Sequence, residues 1–234
     1  MSEFDGYRDI YQNEIDGAVS FVGQGQDFFT KVKGNYILEL LAAENLSTYK
    51  VLDVGCGHGL VHGHLISALG SKLNLTGIDV AGTVVEVARK NHPGASYDTY
   101  EGTRLPYADH SFDMAFTICV MHHVEPGSWS GFLAEMKRVV RPGGLIAVFE
   151  HNPLNPLTRR VVNNCPLDEN AVLLRASTLT TLLKRTGLSE VRQQFISFTP
   201  FGGRFFQWFD RQMGWLPLGA QYFATGRNQS RKDS

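Results

Sequence analysis

Between residues 50 and 150, short apolar runs of strand length alternate with segments whose apolar residues repeat at helical spacing. This alternation is typical of strand–helix–strand units, in which consecutive strands lie parallel in one sheet. Strands are predicted at 50–54, 73–80, 96–100, 114–120 and 145–150, helices at 60–69, 83–91 and 129–140, and weaker strands at 191–198 and 221–225. The pattern predicts an α/β fold: a doubly wound, mostly parallel seven-stranded sheet with helices on both faces and an antiparallel last strand.

The chain has 234 residues, of which 43% are hydrophobic, and this is enough for one core of ordinary size. We therefore expect a single domain over 1–227, with an N-terminal cap at about 1–36, an aromatic insertion at about 200–218 and a disordered tail at 228–234. The net charge is −1, from 22 basic and 23 acidic residues. This balance gives no whole-chain attraction to nucleic acid or to an anionic membrane surface.

The three cysteines, Cys56, Cys119 and Cys165, are widely spaced and form no C-x-x-C or His/Cys zinc arrangement. This usage suits a reducing compartment, and we expect no metal. The N-terminal sequence has no apolar signal segment, and no run of about 18 apolar residues is present. We therefore expect a cytoplasmic protein without integral membrane association.

The stretch VLDVGCGHG at 51–59 places Gly55, Gly57 and Gly59 between a predicted strand and a predicted helix. Glycines there allow a sharp turn and let a ligand approach the main chain. The spacing is G-x-G-x-G, whereas a nicotinamide oxidoreductase would carry G-x-G-x-x-G, and the Gly-Lys-Ser/Thr of a P-loop is also missing. The alternative is a tight turn that binds no ligand.

Two acidic residues lie beside this turn. Asp79 ends the second predicted strand, where a carboxylate can accept both ribose hydroxyls of an adenosine. A helix cap ahead of Thr83 is an alternative that is compatible with the same position. Asp53 lies inside the turn, where it can bind turn amides or the ammonium group of a ligand.

Five motifs in order resemble the motif series of class I S-adenosylmethionine-dependent methyltransferases. They are VLDVGCGHG (51–59), LTGID (75–79), YEGTRLPYADHSFD (100–113), ICVMHH (118–123) and RPGG (141–144). The resemblance covers about 36–150 and implies S-adenosyl-L-methionine as cofactor. The cofactor-binding residues that it implies are Asp53, Gly55, Cys56, Gly57, Gly59, Asp79, Val80, Glu101, Gly102, Thr103, Cys119, Val120 and Tyr11.

Within this resemblance, the glycine turn lies under the amino acid part of the cofactor, with Asp53 near its ammonium group. Asp79 holds the ribose hydroxyls, Val80 packs on the adenine, and Gly102 offers its backbone amide to the ring. Glu101 stands where the family usually has Asp near the adenine amino group. This difference adds one methylene to the side chain.

Methyl transfer from a sulfonium is an in-line displacement, so most of the rate can come from holding the nucleophile and the methyl group close and collinear. A hydroxyl nucleophile also gains about 10² to 10⁴ from a positioned base. His122 and His123 follow the fourth predicted strand and His151 ends the fifth, and these are the candidate catalytic residues. The alternatives are a packing role for His122 and His123 and, for His151, a loop entrance stiffened by prolines.

Two segments outside the shared motifs should select the acceptor, since loops grafted on a common sheet carry specificity. In the N-terminal segment, Tyr11 is preferred to Tyr7 as a cofactor contact. The aromatic insertion forms a lid, a dimer or membrane-surface contact, or a helix packed on the sheet. Arg159, Arg160 and Arg175 either bind an anionic acceptor or are solvated charges.

The sequence thus predicts an enzyme that methylates a small molecule at an oxygen of a bacterial metabolite or sugar. The alternatives are an N- or C-methyltransferase of a secondary metabolite and a cofactor-binding module without transfer activity. An RNA methyltransferase would carry a basic face or an appended domain, and neither is visible, so no nucleic acid partner is expected. The oligomeric state stays open, a dimer included.

Overall fold

The computed structural model describes residues 26–199, 201 and 203–229. One seven-stranded sheet has the order β3-β2-β1-β4-β5-β7-β6. The strands are β1 (Tyr49–Val54), β2 (Leu73–Asp79), β3 (Ser96–Thr99), β4 (Phe112–Ile118), β5 (Val140–His151), β6 (Leu188–Ile196) and β7 (Gln221–Asn228). The helices are α1 (Gln26–Glu44), α2 (His62–Leu69), α3 (Gly82–Asn91), α4 (Trp129–Val139), α5 (Pro156–Asn163), α6 (Ala176–Arg185) and α7 (Arg204–Met213).

The sheet reverses its direction of growth at β1, which pairs in parallel with both β2 and β4. At the other side, β7 lies antiparallel between β5 and β6. The predicted fold class is therefore confirmed, including the antiparallel last strand. In such sheets ligands bind at the carboxyl ends of the strands, beside the point of reversal.

Side chains of the sheet alternate between two hydrophobic cores, as the pleat of a strand requires. Leu52 and Val54 point into a core with α4 and α6, whereas Val51 points into a core with α1 and α2. Helices thus cover both faces. Within the described residues, a ligand can reach the sheet at the strand ends.

β5 begins at Val140, five residues before the predicted start, and therefore runs through Arg-Pro-Gly-Gly, a sequence typical of a break. The register between β4 and β5 shifts between Phe112 and Met114. A Cβ at Gly144 would lie 2.6 Å from the carbonyl oxygen of Asp113. The glycine thus allows the two main chains to approach closely, which is why the strand continues.

Helices α5 and α6 were not predicted. α5 is an eight-residue helix capped by Asn155, whose side chain accepts hydrogen bonds from the amides of Leu157 and Thr158. At the chain end, β7 extends to Asn228, and the Asn228 amide group donates to the carbonyl of Val140 at 2.7 Å. Asn228 therefore belongs to the sheet, although the tail had been predicted to begin there, and 230–234 lie outside the described residues.

Within the aromatic insertion, α7 is an amphipathic helix. Asp210 accepts hydrogen bonds from the amides of Ser197 and Phe198, each at 3.0 Å, and so fastens α7 to the segment after β6. The apolar side chains left exposed in this insertion are Phe201, Phe205, Trp208, Trp215 and Leu218. The choice between a lid and a contact surface stays a prediction. Across the described ranges, no helix is both long and apolar enough to cross a membrane.

Candidate active site

The turn after β1 is built by three glycines with positive φ: +77° at Gly55, +50° at Gly57 and +69° at Gly59. Residues with a Cβ rarely adopt such angles. A Cβ at Gly55 would lie 2.4 Å from Cγ2 of Val120, and one at Gly59 would lie 2.8 Å from Nδ1 of His62. Nothing lies within 4 Å of a Cβ at Gly57. The turn is therefore packed tightly from behind and open at Gly57.

Asp79, the last residue of β2, contacts this turn directly. Its Oδ2 accepts a hydrogen bond from the Gly57 amide at 2.8 Å, and its Oδ1 accepts one from the Ala81 amide at 3.0 Å. Burial raises the pKa of Asp79, against the lowering effect of these hydrogen bonds. Asp79 is not the cap of α3, whose N-cap residue is Ala81. Each carboxylate oxygen keeps a second lone pair, so Asp79 can also accept hydrogen bonds from ligand hydroxyls.

Asp53, in β1, is buried beneath the same turn. Its Oδ2 accepts a hydrogen bond from Nε2 of His62 at 2.9 Å, while Nδ1 of His62 lies 2.6 Å from the hydroxyl of Tyr97. Burial raises the pKa of Asp53, although the hydrogen bond from His62 opposes this. Within the described residues Oδ1 of Asp53 has no hydrogen-bond partner. This carboxylate is thus oriented by a buried histidine and has one oxygen available for a cationic group.

Next to Asp79, the cavity has an apolar edge. Val80 is 42% exposed although it is apolar, and it lines a cavity together with Tyr100 and Gly102. Such an edge suits a flat ring. Glu101 and Thr103 are exposed but do not line this cavity.

The end of β4 carries strained backbone. Cys119 has φ of +57°, which is uncommon for a residue with a side chain. Its amide donates to the carbonyl of Phe149 at 2.8 Å, and Nε2 of Gln221 lies 3.8 Å from its sulfur. Burial raises the pKa of the Cys119 thiol, which stays protonated at neutral pH. Such strain clusters at functional sites, and Cys119 and Val120 both line the cavity.

His122 is a buried cation between two carboxylates. Its Nδ1 donates to Oε2 of Glu150 at 2.6 Å, and its Nε2 lies 3.4 Å from Oδ1 of Asp168. Burial lowers the pKa of His122, but the charges of Glu150 and Asp168 together raise it well above its ordinary value. The amide of Met121 donates to the other oxygen of Glu150 at 2.8 Å. This arrangement suits the predicted packing role of His122 better than proton acceptance.

His123 and His151 flank this cation, with ring centroids 4.2 Å and 5.2 Å from that of His122. Burial and the positive charge of His122 lower the pKa of each to about 4. Nε2 of His123 lies 3.4 Å from Oδ1 of Asp168. Both rings line the cavity. Two neutral imidazoles therefore face the cavity, and a neutral imidazole can accept a proton.

A single cavity of about 650 Å³ runs from the glycine turn, past Cys119, to these histidines. α5 forms one of its walls and is held there by two side chains: Asn155 donates to the carbonyl of Leu218 at 2.7 Å, and Thr158 donates to that of Ala220 at 2.8 Å. The cavity is lined by apolar side chains, which are Phe29, Val124, Phe132, Leu157, Val161 and Phe198, and also by polar ones, among them Lys33, Ser128, Asn155 and Asp168. We name the end at the glycine turn and Asp79 the cofactor end, and the end at the histidines and Asp168 the acceptor end.

Most predicted site residues meet in this cavity. The predicted residues that line it are Asp53, Gly55, Cys56, Gly57, Asp79, Val80, Gly102, Cys119, Val120, His122, His123 and His151. Gly59, Glu101 and Thr103 do not line it, and Tyr11 lies outside the described residues. The sequence reading did not single out Asp168, Tyr100, Gln221 or the His62–Tyr97 pair. Asp168 has no recognisable sequence signal, whereas Tyr100 is the first residue of the motif at 100–113.

The fold and this site resemble those of class I S-adenosylmethionine-dependent methyltransferases. Residues 52–148 match the family model of a methyltransferase domain. The phthiotriol/phenolphthiotriol dimycocerosates methyltransferase of Mycobacterium leprae is 34% identical over 113 residues, which are 47% of this chain and 41% of that protein. Methyltransferase GfsG of Streptomyces halstedii is 32% identical over 150 residues, which are 60% of this chain and 52% of that protein. The chain thus spans about half, or less, of these curated relatives.

Solved structures share the whole architecture. A Thermotoga maritima methyltransferase, described as a possible histamine N-methyltransferase, has a TM-score of 0.67 at 18% identity and covers 97% of this chain and 98% of its own. Phosphoethanolamine N-methyltransferase 2 of Haemonchus contortus has a TM-score of 0.65 at 14% identity and covers 98% of this chain and 61% of its own. These likenesses show a common fold. Together with the domain match over residues 52–148, they show that the chain carries the fold of S-adenosylmethionine-dependent methyltransferases.

Proposed function

We propose that this protein transfers a methyl group from S-adenosylmethionine to a hydroxyl oxygen of a small, largely apolar molecule. The observation that carries the proposal is the continuous cavity of about 650 Å³ that joins the glycine turn to the histidines at the ends of β4 and β5. A cavity of this volume lies in the usual range of small-molecule sites. Donor and acceptor can thus lie in one enclosure, close to each other, as in-line displacement requires.

The cofactor end fits the chemistry of S-adenosylmethionine, which supplies an activated methyl group on a sulfonium. The unpartnered Oδ1 of buried Asp53 suits the amino group of the cofactor. The open main chain at Gly57 suits the carboxylate part, since a side chain there would stand in the cavity. Asp79 would accept the ribose hydroxyls, while Val80 and Gly102 would hold the adenine.

The acceptor end supplies orientation and a proton acceptor. The acceptor oxygen forms the new bond to the methyl carbon, the carbon–sulfur bond breaks with its electrons returning to sulfur, and the hydroxyl proton passes to His151. We choose His151 because it ends β5 and lines the cavity beside the wall formed by α5. His123 lines the same region and shares Asp168 with His122, which suits it to holding the acceptor in place.

The hydroxyl acceptor is also supported by the relatives. The mycobacterial relative is named for phthiotriol and phenolphthiotriol compounds, names that denote hydroxyl groups on apolar molecules. The cavity is lined by the apolar side chains of Phe132, Val161 and Phe198, among others. These side chains are compatible with acceptors of that chemistry. An amine acceptor is the alternative, since two structural neighbours are described as N-methyltransferases.

The test is a transfer assay with S-adenosylmethionine that carries ¹³C in its methyl group. Matched pairs of apolar alcohols, phenols and amines with the same skeleton are offered, and the products are identified by mass and by the carbon chemical shift. We expect O-methyl products, with one equivalent of S-adenosylhomocysteine formed for each methyl group transferred. Methylation of the amines alone, with the alcohols and phenols untouched, would overturn the hydroxyl assignment.

A further inference from the structure

Three side chains at the acceptor end bring potential metal-ligand atoms together. Nε2 of His122, Nε2 of His123 and a carboxylate oxygen of Asp168 all lie within 4.8 Å of one another. Oδ1 of Asp168 is 3.4 Å from each of the two nitrogens. The two histidines come from the turn after β4 and Asp168 from the short turn Pro166–Asp168, so the fold assembles the group from separate segments.

The spacing of these atoms matches a coordination sphere. Zinc binds imidazole nitrogen and carboxylate oxygen at about 2.0 to 2.2 Å, usually in tetrahedral geometry. Two such ligands at the tetrahedral angle are about 3.4 Å apart. The two separations from Oδ1 of Asp168 have this value. The two histidine nitrogens lie within 4.8 Å of each other, so a single ion contacts all three residues once the two rings approach to a similar separation.

The surroundings of His122 also suit a metal ligand. Histidines that bind metals usually donate their second ring N–H to a carboxylate, which fixes the ring and the tautomer. Glu150 has this role here, because it accepts from Nδ1 of His122 at 2.6 Å and is itself held by the amide of Met121 at 2.8 Å. The two carboxylates, Asp168 and Glu150, together balance the charge of a divalent ion.

We propose that His122, His123 and Asp168 form a site for a divalent transition metal ion, which displaces the proton on Nε2 of His122 when it binds. Two imidazoles and one carboxylate suit Zn²⁺ and its first-row neighbours, whereas Mg²⁺ and Ca²⁺ prefer oxygen ligands. All three residues line the cavity, so three protein ligands leave a coordination position open towards the acceptor. Such an ion would polarise an acceptor hydroxyl and lower its pKa. This last consequence rests on the proposed function, but the site itself does not.

The experiment uses the full chain after treatment with a chelator and its removal. Zn²⁺ binding is followed by calorimetry, and Co²⁺ binding by its visible absorption, which reports coordination geometry. We expect one equivalent of metal to bind, and we expect Asp168→Asn and His123→Gln each to weaken this binding at least tenfold. Glu150→Gln should weaken it by about 10- to 100-fold, as loss of a carboxylate behind a metal-binding histidine does.

Controls separate the metal site from unfolding and from surface binding. His64→Gln is the matched histidine variant, because His64 lies in α2, bonds to Asn35 at 2.9 Å and does not line the cavity. Its metal affinity should equal that of the wild type. S-adenosylhomocysteine binding by each variant reports that the cofactor end is intact, so failure of the metal proposal is distinguishable from failure of the proposed function. The absence of saturable binding below 1 mM metal, or full binding by Asp168→Asn and His123→Gln, would overturn the site.

Discussion

The two ends of the cavity are built in different ways. The cofactor end consists of the turn after β1 and the residue that ends β2, and these two pieces are joined by the hydrogen bond between Gly57 and Asp79 at 2.8 Å. The acceptor end consists of side chains from three separate segments: His122, Glu150 and Asp168 meet although 46 residues separate the first from the last. The cofactor end is formed largely by the main chain of a glycine turn. The acceptor end contains a cluster of charged side chains.

Because the two ends are built differently, we expect them to have different functions. Backbone amides and carboxylates at the first end can hold a ligand common to many enzymes, since they depend only on the strand–turn–helix unit. The cluster at the second end depends on the loop between α5 and α6, where the amide of Val172 donates to the carbonyl of His122 at 2.8 Å. Substitutions should therefore separate cofactor affinity from transfer rate, and four measurements test this separation.

The largest effect is expected for His151→Gln. A positioned base contributes about 10² to 10⁴ to the rate, so kcat should fall about 100-fold or more, measured with the hydroxyl acceptor that the screen identifies. The Kd of S-adenosylhomocysteine should stay within about twofold, because His151 lies at the acceptor end. His64→Gln is the matched control and should leave both quantities unchanged. A parallel loss of cofactor affinity in His151→Gln would show that the two ends are not separate.

Asp79→Asn should weaken cofactor binding, whereas His151→Gln should not. Hydrogen bonds to a charged group contribute about 1.5 to 3 kcal/mol, so calorimetry should find the Kd of S-adenosylhomocysteine raised by about 10- to 100-fold. Asp98→Asn is the matched control, because Asp98 accepts from the Tyr107 hydroxyl at 2.9 Å on the surface and does not line the cavity. Unchanged affinity in Asp79→Asn would mean that the ribose is bound elsewhere.

Glu101→Ala tests whether Glu101 belongs to the cofactor end. Glu101 is exposed and does not line the cavity, so it can add at most a solvent-competed hydrogen bond of about 0.5 to 1.5 kcal/mol. The Kd of S-adenosylhomocysteine should rise by less than about tenfold, and by less than for Asp79→Asn. An effect equal to that of Asp79→Asn would extend the cofactor end to this carboxylate.

The smallest effect is expected in the pH dependence of cofactor affinity. Burial raises the pKa of both Asp53 and Asp79, so on acidification these groups take up protons at a higher pH than an exposed carboxyl does. Protonation removes the charge that we assign to cofactor binding, so cofactor affinity should fall as the pH is lowered below neutrality. Asp79→Asn should show a flatter pH profile. An affinity that rises on acidification would contradict the role of these carboxylates.

The same two groups have the opposite effect on folding. A carboxyl whose pKa is raised in the folded state binds its proton more tightly there than in the unfolded chain. The contribution of Asp53 and Asp79 to stability is therefore largest when they are protonated and decreases as the pH rises through their folded pKa. Ionisation of these two groups therefore costs stability, which fits residues kept for binding.

The sequence was sufficient for the fold class, and most of the residues that it named beside the glycine turn line the cavity. The strands were predictable because buried parallel strands are continuous apolar runs, as in β4. The start of β5 was missed because Pro142, Gly143 and Gly144 favour a break, and only the close approach of the neighbouring strand explains why the strand continues. α5 and α6 were missed although they are as long as α2 and α3, which were predicted.

At the acceptor end, the histidines were found but their partners were not. His122, His123 and His151 were named because they follow predicted strands, a local signal. Asp168 lies in a loop with no motif, and only the folded chain brings it within 3.4 Å of two histidines. The pairing of His62 with Asp53 was missed for the same reason. Main-chain sites with a fixed spacing can thus be predicted from sequence, whereas side-chain clusters require the structure.

The most direct test of the two-ended cavity is a crystal structure of the protein with S-adenosylhomocysteine. We predict the ribose hydroxyls on Asp79, the amino group on Asp53, and the sulfur directed past Cys119 towards His151. A neighbouring space for the acceptor should then remain between the sulfur and the wall formed by α5. A cofactor bound with its sulfur directed away from the histidines, or outside the cavity, would contradict the account.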